Sequence, residues 1–187
     1  MKRMECLFAS LLLLAGCSVA MAQAAAPAAT AGQALDGYIK GVEGEFVPAA
    51  DAMPEDKYSF APTAGEFKGV RTFAQQVKHV AAVNYIIAAA ILGEKPPVDT
   101  SGESGPDSIK TKADIMKFLK DSFAYVHKAV PSIGEKNALE LAKSPFGEDK
   151  VTRLEMAAWI PGHCFDHYGQ MVEYLRMNGI IPPASRR

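Results

Sequence analysis

The sequence predicts an all-α fold, a four-helix bundle that forms one domain over residues 33–183. Apolar residues recur at intervals of three and four along four successive segments, which is the period of an amphipathic helix. No segment shows the strict alternation of apolar and polar residues that is typical of a half-buried strand. The chain has 187 residues, which is enough for one domain with a hydrophobic core.

The N-terminus has the pattern of a secretory signal peptide, which we assign to residues 1–22. Lys2 and Arg3 precede an apolar run from Leu7 to Ala15. That run is too short to span a bilayer, which needs roughly twenty apolar residues. We therefore expect an exported protein, located in the periplasm or outside the cell.

The signal peptide contains two alternative processing sites. Ala20-Met21-Ala22 has the small-x-small pattern that signal peptidase accepts, whereas Leu14-Ala15-Gly16-Cys17 resembles a bacterial lipobox. Use of the second site would remove residues 1–16 and leave a lipid anchor at Cys17 as the contact with a membrane. The following Ala-rich stretch, residues 23–32, has no polar face and predicts a flexible leader.

Helix-terminating residues divide the rest of the chain. The first helix is expected to end before Pro54, because proline pushes the preceding residue away from the α region. The second is expected to end at Gly93 and the third before Pro131. The fourth begins at Thr152-x-x-Glu155, the pattern of a capping box.

The connections differ in composition. The linker Glu55–Lys68 is rich in aromatic residues, so we expect it to pack over one end of the bundle. Residues 93–108 form a long polar loop that we expect to be mobile. Residues 131–150 are predicted to be irregular, with one short helical turn near Leu139. Pro161-Gly162 predicts a kink in the fourth helix.

Composition excludes two classes of protein. A net charge of −1 and a pI near 6.4 give no basic face for a nucleic acid, so no such partner is expected. Three cysteines cannot form a disulfide framework. Because Cys6 and Cys17 lie in or next to the signal peptide, Cys164 is left without a partner. We expect Cys164 to be a small buried hydrophobic residue.

Two of the four histidines, His163 and His167, lie four residues apart on the core-facing stripe of the fourth helix. That spacing projects both rings from one side of the helix, so they can reach one metal ion. A buried imidazole without a partner costs about 1–3 kcal/mol, and a metal removes that cost. His79 is the best third ligand because the second helix is largely buried. Histidines that only pack in the core are the alternative.

Other residues near this pair each have alternative roles. Gln170 and Tyr174 lie one and two turns beyond His167, so they either line a pocket or pack in the core. Asp166 either hydrogen-bonds near the site or is a solvated charge. His127 is expected at the surface or its boundary, outside the metal site, and Trp159 in the core or a pocket wall.

Three stretches of the sequence resemble DinB-like proteins. The segment from His163 to Gly179 is similar to the last helix of that family, with two histidines four apart, then Gly-Gln and a Tyr-Leu-Arg-x-x-Gly ending. Lys78-His79-Val80-Ala81 resembles the histidine motif of its second helix. Glu55–Glu66 resembles the linker between its first two helices.

The resemblance implies a four-helix bundle, often dimeric, that binds a divalent metal through three histidines, here His79, His163 and His167. Some relatives are metal-dependent thiol transferases. Asp166 and Tyr168 stand where many relatives have histidine and arginine, so the roles of those two side chains in the relatives do not carry over to this chain. Cytoplasmic thiols are scarce outside the cell, which weakens a transferase assignment.

The resulting expectation is an exported metal-binding protein, a hydrolase or transferase acting on an unidentified small molecule. Three imidazoles suit zinc, nickel, iron or copper, so the identity of the metal stays open. The alternative is a non-enzymatic metal-binding or interaction module of the cell envelope.

Overall fold

The computed structural model describes residues 28–186 and contains a bundle of four long helices. The predicted helical fold is confirmed, whereas the signal peptide and both processing sites lie outside the described residues. Helix α2 packs against α3 and α4, and α1 packs against α4. The elements in chain order are α1 (Ala31–Ala52), α2 (Phe73–Leu92), α3 (Lys112–Ala129), the strands β1 (Leu141–Lys143) and β2 (Lys150–Thr152), and α4 (Arg153–Met177); 3-10 turns lie at Glu55–Lys57, Val130–Ser132 and Pro183–Ser185.

Helix α1 begins inside the stretch that was assigned to the leader. Thr30 Oγ1 accepts from the Gln33 N–H, and Gln33 Oε1 accepts from the Thr30 N–H, so a capping box starts the helix. Gly32 approaches Val130 and Ile133 so closely that a Cβ there would lie 2.4 Å from a backbone oxygen. Residues 31 and 32 therefore belong to the bundle, which corrects the boundary of the leader.

The predicted ends of the other helices match the structure closely. Gly93 ends α2 in the left-handed region, with φ of 73°, and its N–H donates to carbonyls of the last turn. At the start of α4, Thr152 accepts from the Glu155 N–H. Helix α4 is helical throughout from Arg153 to Met177 although it contains Pro161.

The core lies between the four helices and is built from their apolar stripes. In α1, for example, Ile39, Val42 and Phe46 are almost completely buried. Burying each such side chain contributes about 1.5–3 kcal/mol. None of the helices formed by residues 28–186 combines the length and apolar character that crossing a membrane requires.

The aromatic linker packs on the bundle as predicted. Tyr58 is 4% exposed, and its hydroxyl donates to the Ala50 carbonyl at 2.7 Å. The ring of Phe60 meets that of Tyr174 edge-on, with centroids 5.7 Å apart. These contacts connect the linker to α1 and α4.

The segment before α4 contains a small hairpin that the sequence did not predict. Strands β1 and β2 pair antiparallel, with Leu141 opposite Thr152. Each strand has only three residues, too few for alternation to be recognised. The expectation that no strand is present was therefore wrong. Near Leu139 the chain forms one turn, in which the Ala138 N–H donates to the Gly134 carbonyl.

Candidate metal centre

Three histidines converge between α2 and α4, inside the bundle. His79 comes from α2, and His163 and His167 come from adjacent turns of α4. Their ring centroids lie 4.5–4.9 Å apart, and their candidate ligand atoms all lie within 4.8 Å of one another. The structure thus brings together the three side chains that the sequence singled out.

The distance between His79 and His163 suits a shared ion. Their Nε2 atoms lie 3.0 Å apart. Two nitrogens that bind one ion lie roughly 3–3.5 Å apart, because each is about 2.0–2.1 Å from the metal. The three-histidine group could therefore hold a metal ion without a large rearrangement.

Hydrogen bonds orient two of the three rings. His79 Nδ1 lies 2.6 Å from the carbonyl oxygen of Glu103, and His167 Nδ1 lies 2.5 Å from Gln76 Oε1. Since both partners are acceptors, each Nδ1 carries a hydrogen and donates it. In the neutral ring Nε2 then keeps its lone pair, which is the form that binds a metal.

A second glutamine extends this support on one side. Gln76 Nε2 donates to Gln170 Oε1 at 2.8 Å, so the amide that accepts from His167 is itself held in orientation. On the other side, Nδ1 of His163 is buried and makes no hydrogen bond to any residue between 28 and 186. The ring of His163 is therefore the least constrained of the three.

The electrostatic environment keeps the three rings neutral. Burial, followed by the neighbouring histidines His167 and His79, lowers the pKa of His163 to about 3. Burial and His79 lower the pKa of His167 to about 4, and burial lowers the pKa of His79. Neutral imidazoles are required for metal ligation, so this environment favours it.

The three residues predicted near the histidines have different positions. Gln170 acts on the site through Gln76. Asp166 is 69% exposed, and its carboxylate lies 4.0 Å from His167 Nε2. Tyr174 is buried, and its hydroxyl donates to the Arg71 carbonyl at 3.1 Å, so it joins α4 to the residues before α2.

Sequence reasoning missed Gln76 and the carbonyl of Glu103. Gln76 lies three residues before His79 on the buried face of α2, and a glutamine there is a signal that could have been noticed. Glu103 lies in the loop predicted to be mobile, and a backbone carbonyl leaves no sequence signal. The loop is tied down beside the site, because Lys78 Nζ donates to the Pro106 carbonyl at 2.8 Å.

The fourth histidine lies apart from these three, as predicted. His127 of α3 contacts Asp36 at 2.5 Å through Nδ1 and Glu43 at 2.9 Å through Nε2, and both acids lie on α1. Lys40 also pairs with Asp36, at 2.8 Å. His127 thus connects two helices and has no nitrogen free for a metal.

Cys164 has the buried role that the sequence predicts. It is completely buried, and burial raises the pKa of its thiol to about 12. Its thiol points to Asn84 Oδ1 at 3.8 Å. The thiol is therefore a poor nucleophile.

One cavity lies beside the glutamines that support His167, and a second is lined in part by His163. A polar cavity of about 700 Å³ is lined by residues that include Arg71, Gln76 and Gln170. A second, of about 510 Å³, is mostly apolar and includes His163 and Trp159 among its lining residues. The second cavity thus gives one of the three histidines access to a ligand.

Comparison with known proteins places the chain in a family. It resembles the crystal structure of a DinB-like protein from Bacillus cereus ATCC 10987, with 16% identity and a TM-score of 0.66 over 80% of this chain and 93% of that chain. No curated protein matches the sequence significantly. The family model described as the DinB superfamily matches residues 38–171, which is most of the bundle, and the chain therefore belongs to the DinB superfamily.

Proposed function

We propose that this protein binds one divalent metal ion through His79, His163 and His167 and uses it in hydrolysis or group transfer on a small molecule. The observation that carries the proposal is the orientation of the rings. Hydrogen bonds to Nδ1 leave the Nε2 lone pairs of His79 and His167 available, in a cluster that also contains Nε2 of His163. Lone pairs brought together in a buried site repel unless a cation lies between them.

The protein's own residues supply the site and its orientation. The Glu103 carbonyl and Gln76 hold two rings in the ligating form, and burial keeps all three rings uncharged. With three protein ligands, a bound ion would keep at least one position for water or substrate, where it would lower a pKa or polarise a carbonyl. The ion's identity is open among zinc, nickel, iron and copper.

Arg71 is suited to stabilise negative charge near the ion. It lines the polar cavity and is close enough to disfavour protonation of all three histidines. Its guanidinium makes no ion pair with a carboxylate of residues 28–186. A developing oxyanion is the kind of group that such a cation stabilises.

Metal content tests the proposal. Protein expressed without a histidine tag and dialysed against each candidate metal should retain about one equivalent per chain by elemental analysis. The His163→Ala variant should retain close to none, because two histidines bind an ion much more weakly than three do. His127→Ala is the matched control, and it should retain the wild-type amount. Equal metal content in wild type and His163→Ala would refute the three-histidine site.

Cobalt spectroscopy separates an enzyme from a metal-binding module of the envelope. In cobalt-loaded protein, azide or a small thiol should change the visible spectrum if the ion keeps an exchangeable position. An unchanged spectrum at full cobalt occupancy would favour the non-enzymatic module. One observation favours this second candidate. The carboxylate near His167 belongs to Asp166, which is 69% exposed and therefore is not an enclosed general base.

We also propose that the protein is exported, on the basis of the basic and apolar pattern at its N-terminus. Mass spectrometry of the protein from envelope fractions tests this. A chain that begins at Gln23 indicates cleavage after Ala22, whereas a lipidated Cys17 indicates an anchored lipoprotein. A chain that keeps residues 1–22 in the cytoplasmic fraction would show that the export proposal is wrong.

A further inference from the structure

The apolar cavity beside His163 is an open cleft lined by residues from several elements. Helices α2 and α4 contribute Val83, Ile87 and Trp159. The turn between β1 and β2 contributes Phe146, which forms an apolar wall. The ring centroids of Phe146 and Trp159 lie 6.1 Å apart. A volume of about 510 Å³ is within the range of small-molecule sites.

The turn that carries Phe146 is held by local hydrogen bonds. The Ser144 N–H donates to the Asp149 carbonyl at 2.9 Å, and Ser144 Oγ accepts from the Phe146 N–H at 3.1 Å. Gly147 has φ of 153°, a conformation that favours glycine. The apolar wall is thus preformed, although Phe146 is 43% exposed. An exposed phenylalanine that faces a cleft is available to a ligand.

The charge of the lining residues limits what the cleft can accept. Among residues 28–186, the acids Glu103 and Asp149 line it, and no lysine or arginine does so. The side-chain carboxylate of Asp149 has no hydrogen bond or ion pair with the described part of the chain, whereas neighbouring Glu148 pairs with Lys143. An anionic ligand would be repelled here, and a cationic one would be attracted.

We propose that this cleft is the substrate pocket of the metal site and that it accepts the aryl or alkyl group of an amine-bearing molecule. The apolar group packs against the aromatic pair of Phe146 and Trp159, the amine is attracted by Asp149, and the reacting group is next to His163. This inference deepens the proposed function and rests on it for the role of the ion. The cleft is lined by the protein's own residues, so ligand binding to it can be measured with and without a metal.

Trp159 makes the proposal directly measurable, because it is the chain's single tryptophan. Metal-stripped and zinc-loaded protein are titrated with 4-phenylbutylamine, with 4-phenylbutyrate and with the shorter, less apolar ethylamine. Tryptophan emission and calorimetric heat are both recorded. We expect saturable binding of 4-phenylbutylamine in both forms of the protein, about tenfold tighter than binding of 4-phenylbutyrate, and none of ethylamine.

Phe146 and Asp149 are exposed, so substituting either residue leaves the core intact, and each has a matched control nearby. Phe146→Ala should weaken amine binding about three- to tenfold, because one aromatic contact is lost. Leu141→Ala is its control, since Leu141 is 65% exposed on β1 and does not line the cleft. Asp149→Asn should lower the preference for amine over carboxylate about two- to fivefold, and Glu148→Gln should leave it unchanged.

The outcomes separate this inference from the proposed function. Absence of both heat and emission change up to millimolar amine would overturn the cleft as a binding site, even if metal binding is normal. Tighter binding of 4-phenylbutyrate would overturn its charge preference. Equal effects of Phe146→Ala and Leu141→Ala would place the ligand elsewhere. Normal amine binding in a protein that retains no metal would refute the metal site alone.

Discussion

The bundle contains two histidine sites, and their ring nitrogens have different hydrogen-bond partners. Between α2 and α4 lie the three rings of the metal centre. In His79 and His167, Nδ1 donates to an oxygen acceptor, and the Nε2 atoms of His79 and His163 lie 3.0 Å apart. Between α1 and α3, the single ring of His127 has a carboxylate on each nitrogen, from Asp36 and Glu43.

The difference shows what makes a buried histidine available to a ligand. Carboxylates accept hydrogen bonds, so both nitrogens of His127 donate only when the ring is protonated, and no lone pair is left. In the three-histidine cluster the partners are a carbonyl and an amide oxygen, which engage one nitrogen of His79 and one of His167. The arrangement around His127 stabilises the fold, whereas the three-histidine arrangement leaves nitrogen atoms available to bind a metal.

The largest expected effect is a difference between the three-histidine site and the His127 site in how a metal changes the free energy of unfolding. A saturating metal at 1,000 times its dissociation constant should raise the free energy of unfolding by about 4 kcal/mol, because the ion binds only the folded chain. We expect this increase in wild type and in His127→Ala, but not in His163→Ala. Urea unfolding with and without a chelator measures it. A metal-dependent increase in His163→Ala would show that the ion binds elsewhere.

The second prediction concerns stability without metal. His127→Ala should lower the free energy of unfolding by about 1.5–3 kcal/mol, since it removes hydrogen bonds to two carboxylates and leaves Asp36 with Lys40 alone. His163→Ala should lower it less in metal-free protein, because the only polar contact of that ring with residues 28–186 is the one between its Nε2 and Nε2 of His79. Urea unfolding of chelator-treated proteins compares them. A larger loss of unfolding free energy in His163→Ala than in His127→Ala would show that His127 is not the histidine that stabilises the fold.

A third, smaller effect tests the orientation of His167. Gln76→Ala should weaken metal binding roughly 10- to 100-fold, because loss of a hydrogen bond to a ligating ring typically has that effect. Gln75→Ala is the matched control, since the Gln75 amide caps α2 and contacts no histidine. Competition with a chromophoric chelator measures both affinities. Equal affinities in the two variants would remove Gln76 from the site.

The smallest effect is a difference in acid sensitivity. Burial by itself would raise the pKa of Asp36, but hydrogen bonds from Lys40 and His127, and their charges, lower it below its ordinary 3.8. The folded state therefore binds this proton less readily than the unfolded state does. The resulting stability is present above pH 3.8 and is lost as the pH falls through the lower folded value.

Asp36→Asn should accordingly flatten the dependence of unfolding free energy on pH below about 4, whereas Asp166→Asn, on the exposed side of α4, should not. Thermal unfolding at pH 5, 4 and 3 provides the measurement. Parallel profiles for wild type and Asp36→Asn would contradict the lowered pKa.

Much of the fold was predictable because its signals are local. The capping side chain of Thr152, the left-handed Gly93 and the helical periodicity depend on nearby residues only. The hairpin at 141–152 was missed because three-residue strands carry almost no pattern. The start of α1 at Ala31 was missed although its signal is local, because the Thr30-x-x-Gln33 capping box lies in an Ala-rich stretch that shows no polar face. The contacts of Gly32 with Val130 and Ile133 lie about one hundred residues away and leave no local signal.

The metal centre was predictable only in part. The spacing of His163 and His167 determines that they share one side of α4, and the buried character of α2 indicates His79. The carbonyl of Glu103 and the carboxylates around His127 come from distant segments. The sequence carries no record of which nitrogen each of them engages.

The amino-acid sequence by itself determined the helices, their ends and the three candidate ligands, because each depends on intervals of a few residues along one chain. The tertiary structure decided which ring nitrogens are free, which loop supports the histidines and which cleft adjoins them. These properties depend on distances between atoms far apart in the chain, and only the packed bundle sets those distances.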